Sequence, residues 1–597
     1  MKRFFIWFTS AIGTIVLIII IVFVAAIFLA PELEPDLTDK TVLEVNLEQE
    51  YPEYVNDMSS PEELFYRKPR LIEVVEAIEQ AAKDERIKGM VAKVGVSQRG
   101  LASIQELRDA VLAFRASGKP AIAYGETFGE ASSGNGAYYL ATAFDEIYLQ
   151  DSGDINLTGL IYETPFIKGT LEKIGVTPRL DHRYEYKSAM NMFTEKGYTK
   201  AHKEADMDVM MSQFNQIVKG IVERRNLSEE EVRNLIDRGP FYGKEAVDAR
   251  LVDGLAYRDE VYDKIKERVG KDATFLSLFN YYDVVGSPYD SGETIALVFG
   301  VGEVHRGESS FNPFSNSATM GSETVAEAIR EAVKDPDVKA IIFRVNSPGG
   351  SYVASDTIWH ETVRAKEANK PVIVSMGDVA GSGGYFVAAA AGKIVAHPGT
   401  VTGSIGVLGG KMLTTEFWKK LGITWDYVTT SNNGTMWTGI EDYNQSETER
   451  FQTSLDRIYD DFVFKVAEGR NMSVDSISEI AKGRIWAGDD AKILGLVDEL
   501  GGFPTALKFA REAAGLDKDA PVKLKIFPKE KSAIERLIEI LFKPKTDKLV
   551  NHKVVEVVEK IQPVLKIAEQ TGMLDSKPKP LLMRHGESQK MAVSRQP

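Results

Sequence analysis

The chain has 597 residues, 44% of them hydrophobic and 27% charged, enough for two or more domains with cores of their own. Its net charge of −15 argues against nucleic acid as a partner. It has no cysteine, which excludes disulfides, a thiol nucleophile and thiolate metal sites but does not fix the redox compartment.

The N-terminal segment comes first. Phe4 to Ala30 contains no charged residue, and a helix over it, at about 1.5 Å per residue, is roughly 40 Å long, enough to span a bilayer with some tilt. A cleaved secretion signal has a shorter apolar core, roughly 7–15 residues, and Phe28, two before Ala30, spoils the small-x-small cleavage pattern. Residues 1–37 are therefore expected to be a permanent anchor that contacts the lipid bilayer through residues 4–30. Lys2 and Arg3 precede the span and Glu32, Glu34 and Asp36 follow it, so the N-terminus is expected in the cytoplasm and the rest outside.

Beyond the anchor the chain is duplicated. Asp84-Glu85-Arg86-Ile87-Lys88-Gly89 reads like Asp335-Pro336-Asp337-Val338-Lys339-Ala340, and Gly118-Lys119-Pro120 like Asn369-Lys370-Pro371, both at an offset of 251. Further on the offset is 247, pairing Tyr138 with Tyr385, Ile147 with Ile394 and Lys173-Ile174-Gly175-Val176 with Lys420-Leu421-Gly422-Ile423. The change fits a short insertion around Glu130 to Ser133. The expected organisation is an anchor (1–37), a first repeat (38–286), a linker (287–293), a second repeat (294–527) and an extension (528–597).

Each repeat alternates short β-branched apolar runs with helical patterns. In the second, Ala340 to Val345 and Pro371 to Met376 read as buried strands, with helical spacing over Ser355–Lys366 between them. This order predicts an α/β fold with a mostly parallel sheet and right-handed crossovers.

Two glycine motifs follow those strands, where open α/β sheets place their sites. In Ala380-Gly381-Ser382-Gly383-Gly384-Tyr385 the serine sits where a helix is expected to begin, with Tyr385 to Ala391 continuing it. Ser382 is thus a candidate nucleophile, and the Gly383 N–H can face an oxyanion. Asn346-Ser347-Pro348-Gly349-Gly350-Ser351 can supply a second donor from Gly349 or Gly350, because glycine lets the backbone approach closely. By itself a Gly-Ser-Gly-Gly run is more often a plain tight turn. A serine also needs a base. The histidines are His182, His202, His305, His360, His397, His552 and His585. His397 reads as a strand-end surface residue and His360 as helical, and neither has an evident carboxylate partner. A desolvated lysine can serve instead, but chemistry alone does not choose among the lysines.

The ordered motifs Asn346–Ser351, Ala380–Tyr385 and Thr402-Gly403-Ser404-Ile405-Gly406-Val407, with Tyr186-Lys187-Ser188-Ala189 in the first repeat, resemble the signal peptide peptidase A (protease IV) family in its long, duplicated form. The resemblance covers about residues 1–527. It implies tandem crotonase/Clp-like α/β domains and a serine–lysine dyad. It also implies a homotetramer on the outer face of the bacterial inner membrane, cleaving signal peptides and other apolar, extended peptides. Carried over, Ser382 is the nucleophile, Lys187 the general base, Ser404 the residue that holds the lysine amine, and Gly350 and Gly383 the oxyanion donors, with Gly349 in the same turn. No cofactor or metal is implied. At the 247 offset Asn135 stands where the second repeat has Ser382, and Gly434 where the first has Lys187, so neither repeat holds the pair alone. The Clp peptidases place a histidine near the position of Ser404, and this chain has none between His397 and His552.

Towards the C-terminus, Lys531 to Phe542 reads as an amphipathic helix and the Pro/Lys-rich stretch near Ser576 as an exposed tail. Arg584-His585-Gly586 mimics a phosphatase motif but lacks the domain that would have to follow it. The remaining alternatives are a catalytically inactive membrane scaffold of the same fold, a Ser-His peptidase and, more distantly, an acyl-CoA enzyme of crotonase type.

Overall fold

A computed structural model describes residues 37–54, 68–312 and 317–529. The anchor expected over 4–30, the helix expected over 531–542 and the tail lie outside the described residues. Among those described, no helix is long and apolar enough to cross a membrane.

The first half alternates β1 (Thr41–Asn46), α1 (Leu71–Lys83), β2 (Ile87–Lys93), α2 (Leu101–Ala116), β3 (Ala121–Gly125), α3 (Asn135–Ala141) and β4 (Glu146–Leu149). It continues through β5 (Thr177–His182), α4 (Lys200–Arg225), β6 (Gly254–Leu255) and β7 (Thr274–Ser277). Six strands form one parallel sheet in the order β6-β4-β3-β2-β1-β7. Helices cover both faces, so β3 is buried at every position and is written as an unbroken small or apolar run.

The second half repeats the plan. It contains β8 (Glu293–Val301), β9 (Glu303–His305), β10 (Val338–Ser347), α5 (Tyr352–Glu367), β11 (Val372–Gly381) and α6 (Gly383–Phe386). It goes on through β12 (Lys393–Ala396), β13 (Val401–Gly403), β14 (Leu408–Leu413), α7 (Gln445–Arg470), β15 (Ile485–Ala487), β16 (Glu499–Leu500), α8 (Phe503–Ala513) and β17 (Val522–Phe527). The sheet runs β15-β13-β11-β10-β8-β17, with β12 also on β11 and β16 on β12, parallel save for the β13–β15 pair. The helix expected to run on to Ala391 stops after Phe386 and continues as turns. Its N-terminal turn survives, and that is the part that matters for Ser382.

Hydrogen bonds repeat along with the folds. Tyr138 donates to the Leu251 carbonyl at 2.7 Å, and Tyr385 to that of Leu496 at 2.8 Å. The Ile147 N–H meets the Asp253 carboxylate at 2.8 Å, and the Ile394 N–H that of Asp498 at 2.7 Å. These buried tyrosines and strand-edge aspartates tie each sheet to the segment that returns to it.

The halves are joined by two kinds of contact. Strand β5 of the first pairs antiparallel with β14 of the second, Thr177 opposite Leu413 and His182 opposite Leu408. Beneath, Arg344 on β10 is wholly buried between two first-half carboxylates, Glu53 at 2.7 Å and Glu106 at 2.6 Å. Asp378 on β11 accepts from the Ser103 N–H at 2.8 Å and hydroxyl at 2.6 Å, capping α2 of the other half. Removing one partner of such a buried ion pair costs about 3–5 kcal/mol, so this junction stabilises the contact between the halves. This junction also corrects the reading of His397 as a surface residue. It is 1% exposed, its Nδ1 3.8 Å from Asp109 of α2, and burial holds it below the ordinary histidine value. Its strand end is covered by the other half of the chain, which local sequence pattern does not reveal.

Candidate active site

Strand β10 ends at Ser347, and the glycine turn follows at once. Gly349 has φ +101°, and a Cβ there would lie 2.6 Å from the Gly383 nitrogen and 2.7 Å from Ser382 Cβ, so only glycine fits. The turn is pinned by β9: the Val304 N–H donates to the Gly349 carbonyl, and the Ser351 N–H to that of Val304, both at 2.8 Å. The Gly349 N–H is itself engaged by Ser347 Oγ at 3.2 Å. That removes Gly349 from the three candidate oxyanion donors. The N–H groups of Gly350 and Gly383 have no acceptor among the described residues.

Ser382 lies at the step from β11 to α6. Its N–H donates to the Gly403 carbonyl at 2.9 Å, and its own carbonyl accepts from the Tyr385 and Phe386 N–H groups at 3.0 and 2.9 Å. Held from both sides, it adopts φ +53°, ψ −119°, a conformation unfavourable for a residue with a Cβ. Such strain persists only where the surroundings over-determine it, and it gathers at functional positions.

Lys187 arrives from the first half, on the turn after β5. It is 4% exposed, and its Nζ lies 2.9 Å from Ser382 Oγ, 3.0 Å from Ser404 Oγ and 2.7 Å from the Ser404 carbonyl oxygen. Burial alone, with no carboxylate contributing, pushes its amine from 10.5 down to about 7. A neutral amine has two N–H donors and one lone pair. The Ser404 carbonyl and hydroxyl take the two donors, which leaves the lone pair facing the Ser382 hydroxyl.

The wall behind Lys187 belongs to the second half. Gly483 has φ +81°, and a Cβ there would fall 2.5 Å from Lys187 Cβ and from its backbone nitrogen. The Tyr186 N–H donates to the Lys482 carbonyl at 3.2 Å, the Gly483 N–H to Ile405 at 2.8 Å and the Ser404 N–H to Arg484 at 2.7 Å. Segment 482–484 is a part of the site that sequence reasoning missed. The Lys482-Gly483-Arg484 triplet carries no chemical signature of its own.

The structure brings Ser382, Lys187, Ser404, Gly350 and Gly383 together. Among the described residues no histidine hydrogen-bonds Ser382, and no cluster of His, Asp and Glu could hold a metal ion. His360 is exposed on α5, and His552 and His585 lie outside the described residues. The corresponding place in the first half is closed. Asn135 bonds Gly159 reciprocally, its amide to the Gly159 carbonyl at 2.6 Å and the Gly159 N–H to its oxygen at 3.1 Å, while Leu157, fully buried, stands at the position of Ser404. Gly434, the counterpart of Lys187, lies in an exposed turn.

The sequence matches the profile of peptidase family S49 twice, over residues 113–272 and 364–517. Protease 4 of Salmonella typhi is 34% identical over 461 residues, covering 75% of this chain and 72% of that protein. Protease 4 of Haemophilus influenzae is 32% identical over 473 residues, 76% of this chain and 75% of that one. The chloroplastic serine protease SPPA of Arabidopsis thaliana is 31% identical over 456 residues, 74% of this chain and 66% of that one. Among solved structures, a point mutant of ClpP1 from Listeria monocytogenes covers 36% of this chain and 94% of its own, with a TM-score of 0.23 and 17% identity.

Proposed function

Because the chain belongs to peptidase family S49, as a serine peptidase of the duplicated signal peptide peptidase A form, we propose that Ser382 and Lys187 are its catalytic dyad. The observation that carries this reading is the 2.9 Å approach of Lys187 Nζ to Ser382 Oγ in a site where the amine is desolvated and no carboxylate holds its proton. Ser382 Oγ attacks the scissile carbonyl and passes its proton to Lys187 Nζ. The carbonyl oxygen becomes an oxyanion that accepts from the Gly350 and Gly383 N–H groups. Lys187, now an ammonium ion, protonates the leaving amine, and an ester to Ser382 remains. Water, deprotonated by the same amine, then releases the peptide acid.

The substrates are extended apolar peptides, cleaved signal peptides among them, because backbone donors read main chain rather than folded surface. The uncharged stretch over residues 4–30 anchors the protein in the bacterial inner membrane as a single pass, with both halves on the periplasmic side. The working assembly is a homotetramer. An inactive scaffold is disfavoured by the strained Ser382 with Lys187 Nζ 2.9 Å from its Oγ, and a Ser-His peptidase by the lack of any histidine bonded to Ser382 among the described residues. The test is to treat the full-length chain with a fluorophosphonate and map the adduct. Modification at Ser382, lost in Lys187→Ala, is the expected result. Modification elsewhere, or labelling of Ser382 that ignores Lys187, overturns the dyad.

A further inference from the structure

Arg484 belongs to the second half but touches both sides of the site. Its carbonyl accepts the Ser404 N–H at 2.7 Å, and so fixes the loop that holds the lysine amine. Its guanidinium lies between two rings, 4.6 Å from the centre of Tyr186 and 4.7 Å from that of Trp486. Tyr186 is the residue before Lys187. The same guanidinium donates to Glu204 at 2.8 Å and to Asp208, which lie one turn apart on α4 of the first half. Glu204 also accepts from the Tyr186 hydroxyl at 2.9 Å. One side chain thus meets the lysine turn, the helix behind that turn and, through its backbone, the serine loop.

We infer that Arg484 is a positioning residue for the dyad: it registers the Tyr186–Lys187 turn of the first half against the Ser404 loop of the second and keeps Lys187 dry and within reach of Ser382. The inference rests on the dyad reading above. Magnitudes favour a geometric role over a stabilising one. Glu204 and Asp208 are 42% and 52% exposed, and ion pairs so open to water contribute only about 0–1 kcal/mol. A misplacement of about 1 Å at a reacting centre, by contrast, can cost about 100-fold in rate. Lys187 is unusually sensitive to such a shift, because burial alone lowers its basicity and any water admitted beside it restores the charged form. Arginine suits the place because a planar guanidinium can stack on both rings while its fork reaches two carboxylates, which an ammonium cannot do.

The experiment compares the full-length wild type with Arg484→Gln, Arg484→Lys, Glu204→Gln and Arg179→Ala. The last removes an exposed cross-half ion pair, Arg179 with Asp442 at 2.6 Å. The readouts are kcat and KM on an unstructured apolar peptide across roughly pH 5–10, together with the rate of fluorophosphonate labelling. In Arg484→Gln the midpoint of the kcat profile should rise by about one pH unit, with about a five-fold loss of kcat at about pH 7 and KM within about two-fold. Arg484→Lys and Glu204→Gln should shift the same way by less, and Arg179→Ala not at all. If Arg484→Gln fails to fold, those two milder variants decide the matter. Midpoints that stay at the wild-type value, or that move equally in Arg179→Ala, overturn the positioning role. A wild type whose kcat does not rise through about pH 7 sinks the dyad itself, which keeps the two failures distinct.

Discussion

Lys187 Nζ and Ser382 Oγ lie 2.9 Å apart although 195 residues of chain separate them, and they come from different halves of a duplicated fold. The cross-half strand pair β5–β14 and the buried Arg344 cluster hold the two halves together. On the proposed dyad the halves work as one unit: the first supplies a buried amine and the second the strained serine and the backbone donors.

Lys187→Ala and Lys187→Arg should both abolish turnover, since guanidinium stays protonated at any usable pH. On the proposed dyad the neutral amine is the working form, so activity should rise with pH through about 7, the value to which burial lowers Lys187. A pH–rate profile of kcat on a short peptide measures this. Substantial activity in Lys187→Arg would point to another base.

The same burial has a stability consequence of definite sign. Between the folded value near 7 and the ordinary 10.5, the unfolded chain binds more protons than the folded one. Wild-type stability should therefore climb with pH across that window and stay flat in this respect below it. Lys187→Met removes the desolvation cost along with some hydrogen bonds. It should melt higher at neutral pH by an amount worth roughly 1–3 kcal/mol, and the advantage should fade towards pH 10. Denaturant melts at several pH values test this. A Lys187→Met protein less stable than wild type at neutral pH would show that the lysine is hydrated.

Ser382→Gly should be inactive and yet not less stable than wild type. Glycine takes φ +53° without strain, and the relief, about 1–3 kcal/mol, matches or exceeds the extra entropy it gives the unfolded chain. Ser382→Ala, by comparison, keeps the strain. Thermal melts of both variants beside activity assays are sufficient, and a clear drop in Tm for Ser382→Gly contradicts the assignment of strain.

Much of this was legible before the structure. Glycine turns after β-branched runs put both donor motifs at strand ends, and the repeat placed Asn135 opposite Ser382. What sequence could not supply was the surface between the halves. His397 reads as exposed because its own strand ends there, and only the fold reveals α2 lying over it. Segment 482–484 escaped for the same reason: its part in the site is to leave room for a residue from the other half. The lysine was found by resemblance, because its depressed basicity comes from burial by distant parts of the chain.

Gly483→Ala tests that wall with a built-in comparison. Gly483 and Gly118 both adopt φ near +80°, so an alanine strains the backbone similarly at either, by about 1–2 kcal/mol. A Cβ at Gly118 meets nothing, whereas one at Gly483 meets Lys187 at 2.5 Å. Gly118→Ala should lower Tm while kcat stays near wild type. Gly483→Ala should lower Tm further, because its Cβ meets backbone that has to shift, and lose about 100-fold or more in kcat. Equal activity losses in the two would mean that Gly483 does no more than bend the chain.

The proposed tetramer has a surface prepared by the duplication. At the 247 offset, β5 corresponds to residues 424–429 and its partner β14 to residues 161–166. Both counterparts lie outside the helices and strands, and neither has a backbone–backbone hydrogen bond among the described residues. Residues 424–429 are exposed throughout, Val428 fully and Trp425 and Tyr427 about half, and Ile161 is 74% exposed. By the repeat arithmetic, each chain holds a counterpart of each strand of the antiparallel pair that joins its halves. On the tetramer proposed above, one copy's 424–429 segment would meet the next copy's 161–166 segment, a head-to-tail contact that gives a ring only if its rotation closes. Tyr427→Pro and Val428→Asp disrupt a strand at that edge, the first by removing an N–H and the second by placing a charge there. The double variant should sediment as a monomer and still hydrolyse short peptides, because Lys187 and Ser382 share one chain. If it remains tetrameric, the assembly is built on another surface. If it is monomeric and dead, the ring does more than hold the copies together.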